Sequence, residues 1–183
     1  LKYPSQSVNQ IIREGFPVSC TLGVLALCIA IPSGMIIGTV AAIKRNSSFD
    51  FASHILCVFG LSIPSFVLAA SLQFLFAICF SFFPVARWGS FMHMPLPAFA
   101  LAVGPMCMII KLFRASILEV LQQQYIHTAK IKGLSNRRIL TIHIWKNAAL
   151  PIITYLGPVT ANILVGSFIV ERVFGIPGLG QWF

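Results

Sequence analysis

Apolar residues in this chain fall into four long blocks, about 18 to 43, 51 to 83, 95 to 113 and 148 to 170, with the polar residues gathered between them. Each block reaches the roughly 18 residues at which an apolar run reads as a membrane span. The expectation is an all-α, polytopic helical membrane protein with about four transmembrane helices. Lys44 and Arg45 end the first block abruptly. The second is too long for one straight span, so it must tilt or break, and Ser62, Pro64 and Ser65 mark where. The third opens on Pro95 and Pro97 and closes with Lys111 and Arg114, whose stems can snorkel to the interface. Gly34 with Gly38 reads as close helix packing, and Gly157 with Pro158 as a kink.

Between the third and fourth blocks, residues 114 to 147 are polar and basic yet keep helical spacing. Ile117, Leu118, Leu121 and Tyr125 recur at that spacing, which carries the third helix past the membrane. Gln122 to Gln124 then interrupt it. A short helix over Tyr125 to Lys132 follows, and Gly133 supplies the residue best able to take a left-handed cap. Ser135 offers an N-cap oxygen to a helix from about Asn136 to Ala149, and Pro151 stands where the chain re-enters the bilayer. A plain connection would not need so much ordered structure.

Charge sets the orientation. Lys44, Arg45, Lys130, Lys132, Arg137, Arg138 and Lys146 lie on one side, whereas the stretch from 84 to 95 holds only Arg87. Basic loops stay in the cytoplasm, so the loop 114 to 147 is expected there. Both ends, residues 1 to 17 and 171 to 183, then fall outside. A complete protein is expected to add a span on each side, so the expectation is that the chain is a fragment.

Composition narrows the chemistry. The chain is 57% hydrophobic and 9% charged, where a soluble domain carries about 25% charged residues. A net charge of +9 would suggest nucleic acid in a soluble protein. Here it follows from the cytoplasmic loops, so lipid is the expected neighbour and nucleic acid is not. The five cysteines lie in apolar blocks without metal or redox spacing and read as small hydrophobes. Met92, His93 and Met94 are too few to make a coordination shell, and no metal or other cofactor is expected.

No span offers a nucleophile with a base, and no phosphate-binding glycine motif occurs, so the chain is not expected to be an enzyme. Ser62, Ser65, Gln73, Thr160 and Asn162 are the polar positions that could line a translocation path, the alternative being hydrogen bonds between helices. Asp50, Glu119 and Glu171 fall at block edges or in loops. An ion-gradient-driven secondary transporter or channel, the alternative function, usually buries such groups in its spans.

Three strings carry a resemblance. YIHTAKIKGL at 125 to 134 with HIWKNAALP at 143 to 151, SIPSF at 62 to 66, and ERVFGIPGLGQ at 171 to 181 resemble the permease subunits of binding-protein-dependent ABC importers, oligopeptide/dipeptide branch. The likeness covers nearly the whole chain. It implies a type I importer permease, one transmembrane domain over 1 to 183, in a bacterial inner membrane. It also implies a sister permease subunit, two cytoplasmic ATPase subunits that hydrolyse ATP, and an external solute-binding protein.

In that family the loop forms a coupling helix seated in a groove of the ATPase. The resemblance assigns this role to Tyr125, Ile126, His127, Thr128, Ala129, Lys130, Lys132, Gly133 and Leu134, with Asn147 and Pro151 closing the motif. His127, Thr128, Ala129 and Gly133 stand where the general family has Glu-Ala-Ala and a later Gly, so the leading acid is replaced by a basic residue, as is usual in the peptide branch. The segment from Glu171 to Gln181 is left between two roles: contact with the binding protein, or turning the chain between spans.

Overall fold

The computed structural model describes residues 7–165 and 167–182; of the two ends expected outside, residues 1–6 and Phe183 lie outside the described residues. The backbone is helical almost throughout, and among the described residues no strand occurs. Among the described residues, three helical runs, Val8–Ile43, Phe91–Leu121 and Leu150–Val173, are long and apolar enough to cross a membrane, the last only if the break before Phe168 is counted within one span, or four if one sharply bent pair also counts.

Helix α1 runs from Val8 to Ile43, beginning upstream of the apolar block, with Ser7 as N-cap accepting from the Gln10 N–H at 3.3 Å. Its 36 residues, at about 1.5 Å each, exceed the roughly 30 Å of a bilayer core. Ala26, Ala30, Gly34, Gly38 and Ala42 recur every fourth residue and are all buried. Their stripe faces α4 (Pro95–Leu121). A Cβ on Gly34 would stand 2.8 Å from Ile109 Cβ, and one on Gly38 3.0 Å from the Ile110 carbonyl oxygen. The two backbones therefore meet where only small residues fit, which is how helices associate when lipid removes the hydrophobic drive. Helix α4 is the hub, burying Ile109, Ile110, Phe113 and Ile117 completely or nearly so.

The second apolar block is broken. Helix α2 (Ser48–Ser62) and α3 (Ser65–Leu72, continuing as a π-helical stretch to Cys79) meet at 102°. Pro64 cannot donate to the helix and disfavours helical geometry in the residue before it. Ile63 is accordingly extended, at φ −78° and ψ 121°. The cysteines divide: Cys57 and Cys107 are buried, as expected of small hydrophobes, but Cys28 and Cys79 are exposed on apolar faces.

Helix α5 (Gln124–Ile131) and a compound helix follow α4; the latter comprises α6 (Asn136–Arg138), a π-helical stretch Ile139–Ile144, and α7 (Trp145–Ala148). Helix α8 (Leu150–Leu164) then runs on, with Pro158 inside it and Ile152 its one buried residue among those described. Ile153, Leu150 and Val165 are exposed, as suits a helix that meets lipid or another subunit.

The fourth apolar block does not continue as one helix. Helix α9 (Phe168–Val173) starts anew, with Ser167 as its N-cap. The tail then folds back on α1. Glu171, read from sequence as an edge or loop acid, is instead fully buried. Ser19 Oγ donates to its Oε1 at 2.8 Å, and the Gly180 N–H donates to its Oε2 at 2.7 Å. Ser19 Oγ also accepts from the Leu179 N–H at 2.9 Å. A Cβ on Gly178 would lie 2.5 Å from Glu171 Oε2, and one on Gly180 2.6 Å from the Phe168 nitrogen. The glycines of the PGLG run are thus required by close approach.

Candidate functional site

The loop between α4 and α8 folds as a compact helical unit. On α5, Ile126 and Ala129 point inward and are buried against Ile117, Val120, Ile139, Ile144 and Ala148. His127 and Thr128 are exposed away from that face, Tyr125 and Lys130 are exposed at its flanks, and Ile131 is 87% exposed, an unusual position for so large an apolar side chain.

Helix α5 ends in a Schellman cap: the Gly133 N–H donates to the Lys130 carbonyl at 2.9 Å and the Leu134 N–H to the Ala129 carbonyl at 3.2 Å. Gly133 has φ +76°, the left-handed region that disfavours a side chain. Leu134 returns the chain to the core, and Ser135 Oγ accepts from the Arg138 N–H at 3.4 Å to start the next helix. The π-helical turn that follows has wider spacing than an α-helix, and Ile139 and Ile144, five apart, are both buried.

One hydrogen bond ties the two halves of the loop. Asn147 Nδ2 donates to Tyr125 Oη at 3.0 Å and to the His143 carbonyl at 2.8 Å. Phe113 of α4 meets the edge of Trp145 at 6.0 Å between ring centroids. Pro151 sits in the first turn of α8, where no N–H is needed. Tyr125, Thr128, Ala129, Lys132, Leu134 and His143 line a shallow groove of about 300 Å³. An exposed, mixed apolar and basic surface on a capped, packed helix is suited to docking another protein and moving as a unit with the bundle.

The polar span residues are dispersed. Ser62 and Ser65 flank the break between α2 and α3 and are exposed, with Ser65 lining a cavity of about 280 Å³ against Leu101, Gly104 and Pro105 of α4. Thr160 and Asn162 lie on α8, half-buried and exposed respectively. Gln73 has another employment: its Nε2 donates to the Val85 carbonyl at 2.5 Å and the Val173 carbonyl at 3.1 Å, clasping the tail to the loop after α3.

Sequence reasoning missed one ionic contact near this helical unit. Asp50, at the start of α2, is buried, and Arg114 of α4 donates to both of its oxygens, Nε to Oδ1 at 2.6 Å and Nη2 to Oδ2 at 2.7 Å. The Asn46 N–H adds a third bond to the carboxylate at 2.9 Å. Ser47 caps α2, with its Oγ accepting from the Asp50 N–H at 3.4 Å. The spacing Ser47-x-x-Asp50 marks a helix start with an acid in its first turn, but it carries no sign of Arg114 as the partner.

Residues 34–183 match the family model described as "Binding-protein-dependent transport system inner membrane component". The chain is 50% identical over 183 residues to the dipeptide transport system permease protein DppB of Bacillus subtilis, covering all of this chain and 59% of that protein. It is 42% identical over 184 residues to the oligopeptide transport system permease protein OppB of Haemophilus influenzae, and 40% identical over 184 residues to OppB of Escherichia coli K12, in each case over 100% of this chain and 60% of the relative. The chain thus spans about three fifths of the length of these relatives. With the family model covering most of its length on an all-helical fold, the chain belongs to the family of binding-protein-dependent transport system inner membrane components.

Proposed function

We propose that the chain is the core of a permease subunit of an ATP-driven importer for oligopeptides or dipeptides, forming half of the translocation path. The substrate class follows that of the relatives, a dipeptide transport system permease protein and an oligopeptide transport system permease protein. The observation that carries the mechanism is the lever: α5 is rigidly capped at Gly133, packed inward through Ile126 and Ala129, and pinned by the Tyr125–Asn147 bond, while Ile131, His127 and Lys132 face outward. On this reading the outward face docks on a cytoplasmic ATPase, and the buried face transmits its movement to α4, to which α1 and α2 are fastened.

The permease bonds no substrate covalently. A sister permease subunit would supply the other half of the path, two ATPase subunits the energy, and an external binding protein the solute. Ser62, Ser65, Thr160 and Asn162 are the positions proposed to face the path. Gln73 carries a packing role instead, its amide donors being taken by backbone carbonyls. The tail from Glu171 onward is read as a turn locked on α1, because its carboxylate and backbone are directed inward.

The test is Gly133→Asp in the complete importer, reconstituted in vesicles with ATPases and binding protein. A Cβ there meets open space but takes a left-handed backbone. ATP hydrolysis is expected to persist while solute uptake falls. Normal coupling in that variant, or uptake that runs on an ion gradient without ATP, would overturn the reading.

A further inference from the structure

Where the end of α1 that bears Lys44 meets α4 and the basic loop, the surface opens into a groove of about 400 Å³, within the roughly 300–1,000 Å³ of small-molecule sites. Ile43 of α1, Ile117 and Leu121 of α4, and Leu140 of the compound helix form apolar walls, while Lys130 and Arg137 bring positive charge. Lys44 and Arg45 follow directly on Ile43.

The acids of the described residues do not neutralise this cluster. Asp50 is held by Arg114, Glu14 accepts from Gln10 near the opposite end of α1, and Glu171 is locked to Ser19 and Gly180. Glu119 is exposed on α4 and is not among the residues that line the groove. A free inorganic anion would leave the apolar walls wet, and a neutral apolar molecule would leave the cations uncompensated. An acyl chain joined to an anionic head satisfies both, and basic pockets between helices on the cytoplasmic side are suited to such headgroups.

The geometry points to a binding site for one anionic glycerophospholipid of the inner leaflet, its acyl chain along Ile43, Ile117, Leu121 and Leu140 and its phosphate between Lys130 and Arg137. This rests on the cytoplasmic placement of the loop proposed above. One wall belongs to α1 and another to the helix after α5, so the lipid joins the lever to the bundle. Retention of the lipid is then a condition for full coupling.

The complete, purified importer would be delipidated and titrated with phosphatidylglycerol or phosphatidylcholine, and retained lipid counted by native mass spectrometry. Phosphatidylglycerol is expected to be retained about tenfold more tightly, and Arg137→Gln to weaken it about fivefold with little effect on phosphatidylcholine. Leu140→Trp, which fills the groove, is expected to abolish retention there. Equal retention of the two lipids, or unchanged retention in both variants, would overturn the site. A photo-crosslinker at Leu140 should capture phospholipid; an adduct with protein alone would assign the groove to a polypeptide and refute the proposal. Orientation is read separately by labelling Arg138→Cys: reaction from the external side would sink the placement itself, whatever the lipid counts.

Discussion

Ser19→Ala tests the lock between the tail and α1 with the smallest change of shape. The substitution removes the donor to Glu171 Oε1 at 2.8 Å and the acceptor of the Leu179 N–H at 2.9 Å. Each group left without its partner in a buried site costs about 1–3 kcal/mol, and Leu179 is half-buried, so its share falls at the low end; the expected loss is about 2–4 kcal/mol. That raises the opening of the tail roughly 30- to 700-fold, since 1.4 kcal/mol is about tenfold. Hydrogen exchange of the amides from Ile176 to Gly180, in the detergent-solubilised complex, reads the opening directly. Thr21→Ala is the control: its exposed hydroxyl donates only to the Pro17 carbonyl within the same helix, and a change within about 0.5 kcal/mol is expected. Exchange in Ser19→Ala as slow as in the control would refute the claim that this network holds the tail.

Three further substitutions probe other joints. Asp50→Ala leaves Arg114 without its bidentate partner; breaking a buried pair costs about 3–5 kcal/mol, and because the Arg114 side chain is 19% exposed about 2–3 kcal/mol is expected, read as thermal stability, with partial recovery when Arg114→Met is added. Gly34→Val sets a Cβ 2.8 Å from Ile109 Cβ and should loosen the α1–α4 seam by about 1–3 kcal/mol, which a cross-link yield between cysteines on the two helices would report. Tyr125→Phe deletes the acceptor of Asn147 Nδ2, which keeps its bond to the His143 carbonyl, so stability should fall by no more than about 1 kcal/mol while the coupling of ATP hydrolysis to uptake falls measurably.

What could be read from sequence was local. Gly133 and Ser135 announce a helix end and a helix start because their backbone and side-chain roles are satisfied within a few residues, and the structure realises both. Gly34 and Gly38 likewise show close packing in their own spacing, although the stripe extends to Ala26, Ala30 and Ala42. Pro64 marks a break, but its 102° turn depends on what α2 and α3 pack against.

The long-range polar contacts were not legible. Asp50 meets Arg114 across 64 residues and Ser19 meets Glu171 across 152, and neither sequence neighbourhood names its partner. Gln73 in an apolar block looks the same whether it faces a path or clasps two carbonyls; only the fold brings Val85 and Val173 to it. The face of α5 proposed to dock was not singled out by Ile131 in the sequence; only the structure shows this apolar side chain, between two lysines, left exposed.

The central claim is that α5 carries force from a separate motor. It is tested most directly by placing a photo-crosslinker at Ile131 in the complete importer and irradiating intact inverted vesicles with and without ATP. An adduct with the cytoplasmic ATPase is expected, its yield changing through the nucleotide cycle. An adduct with an external protein, or the absence of any ATPase adduct in vesicles that import solute, would contradict it.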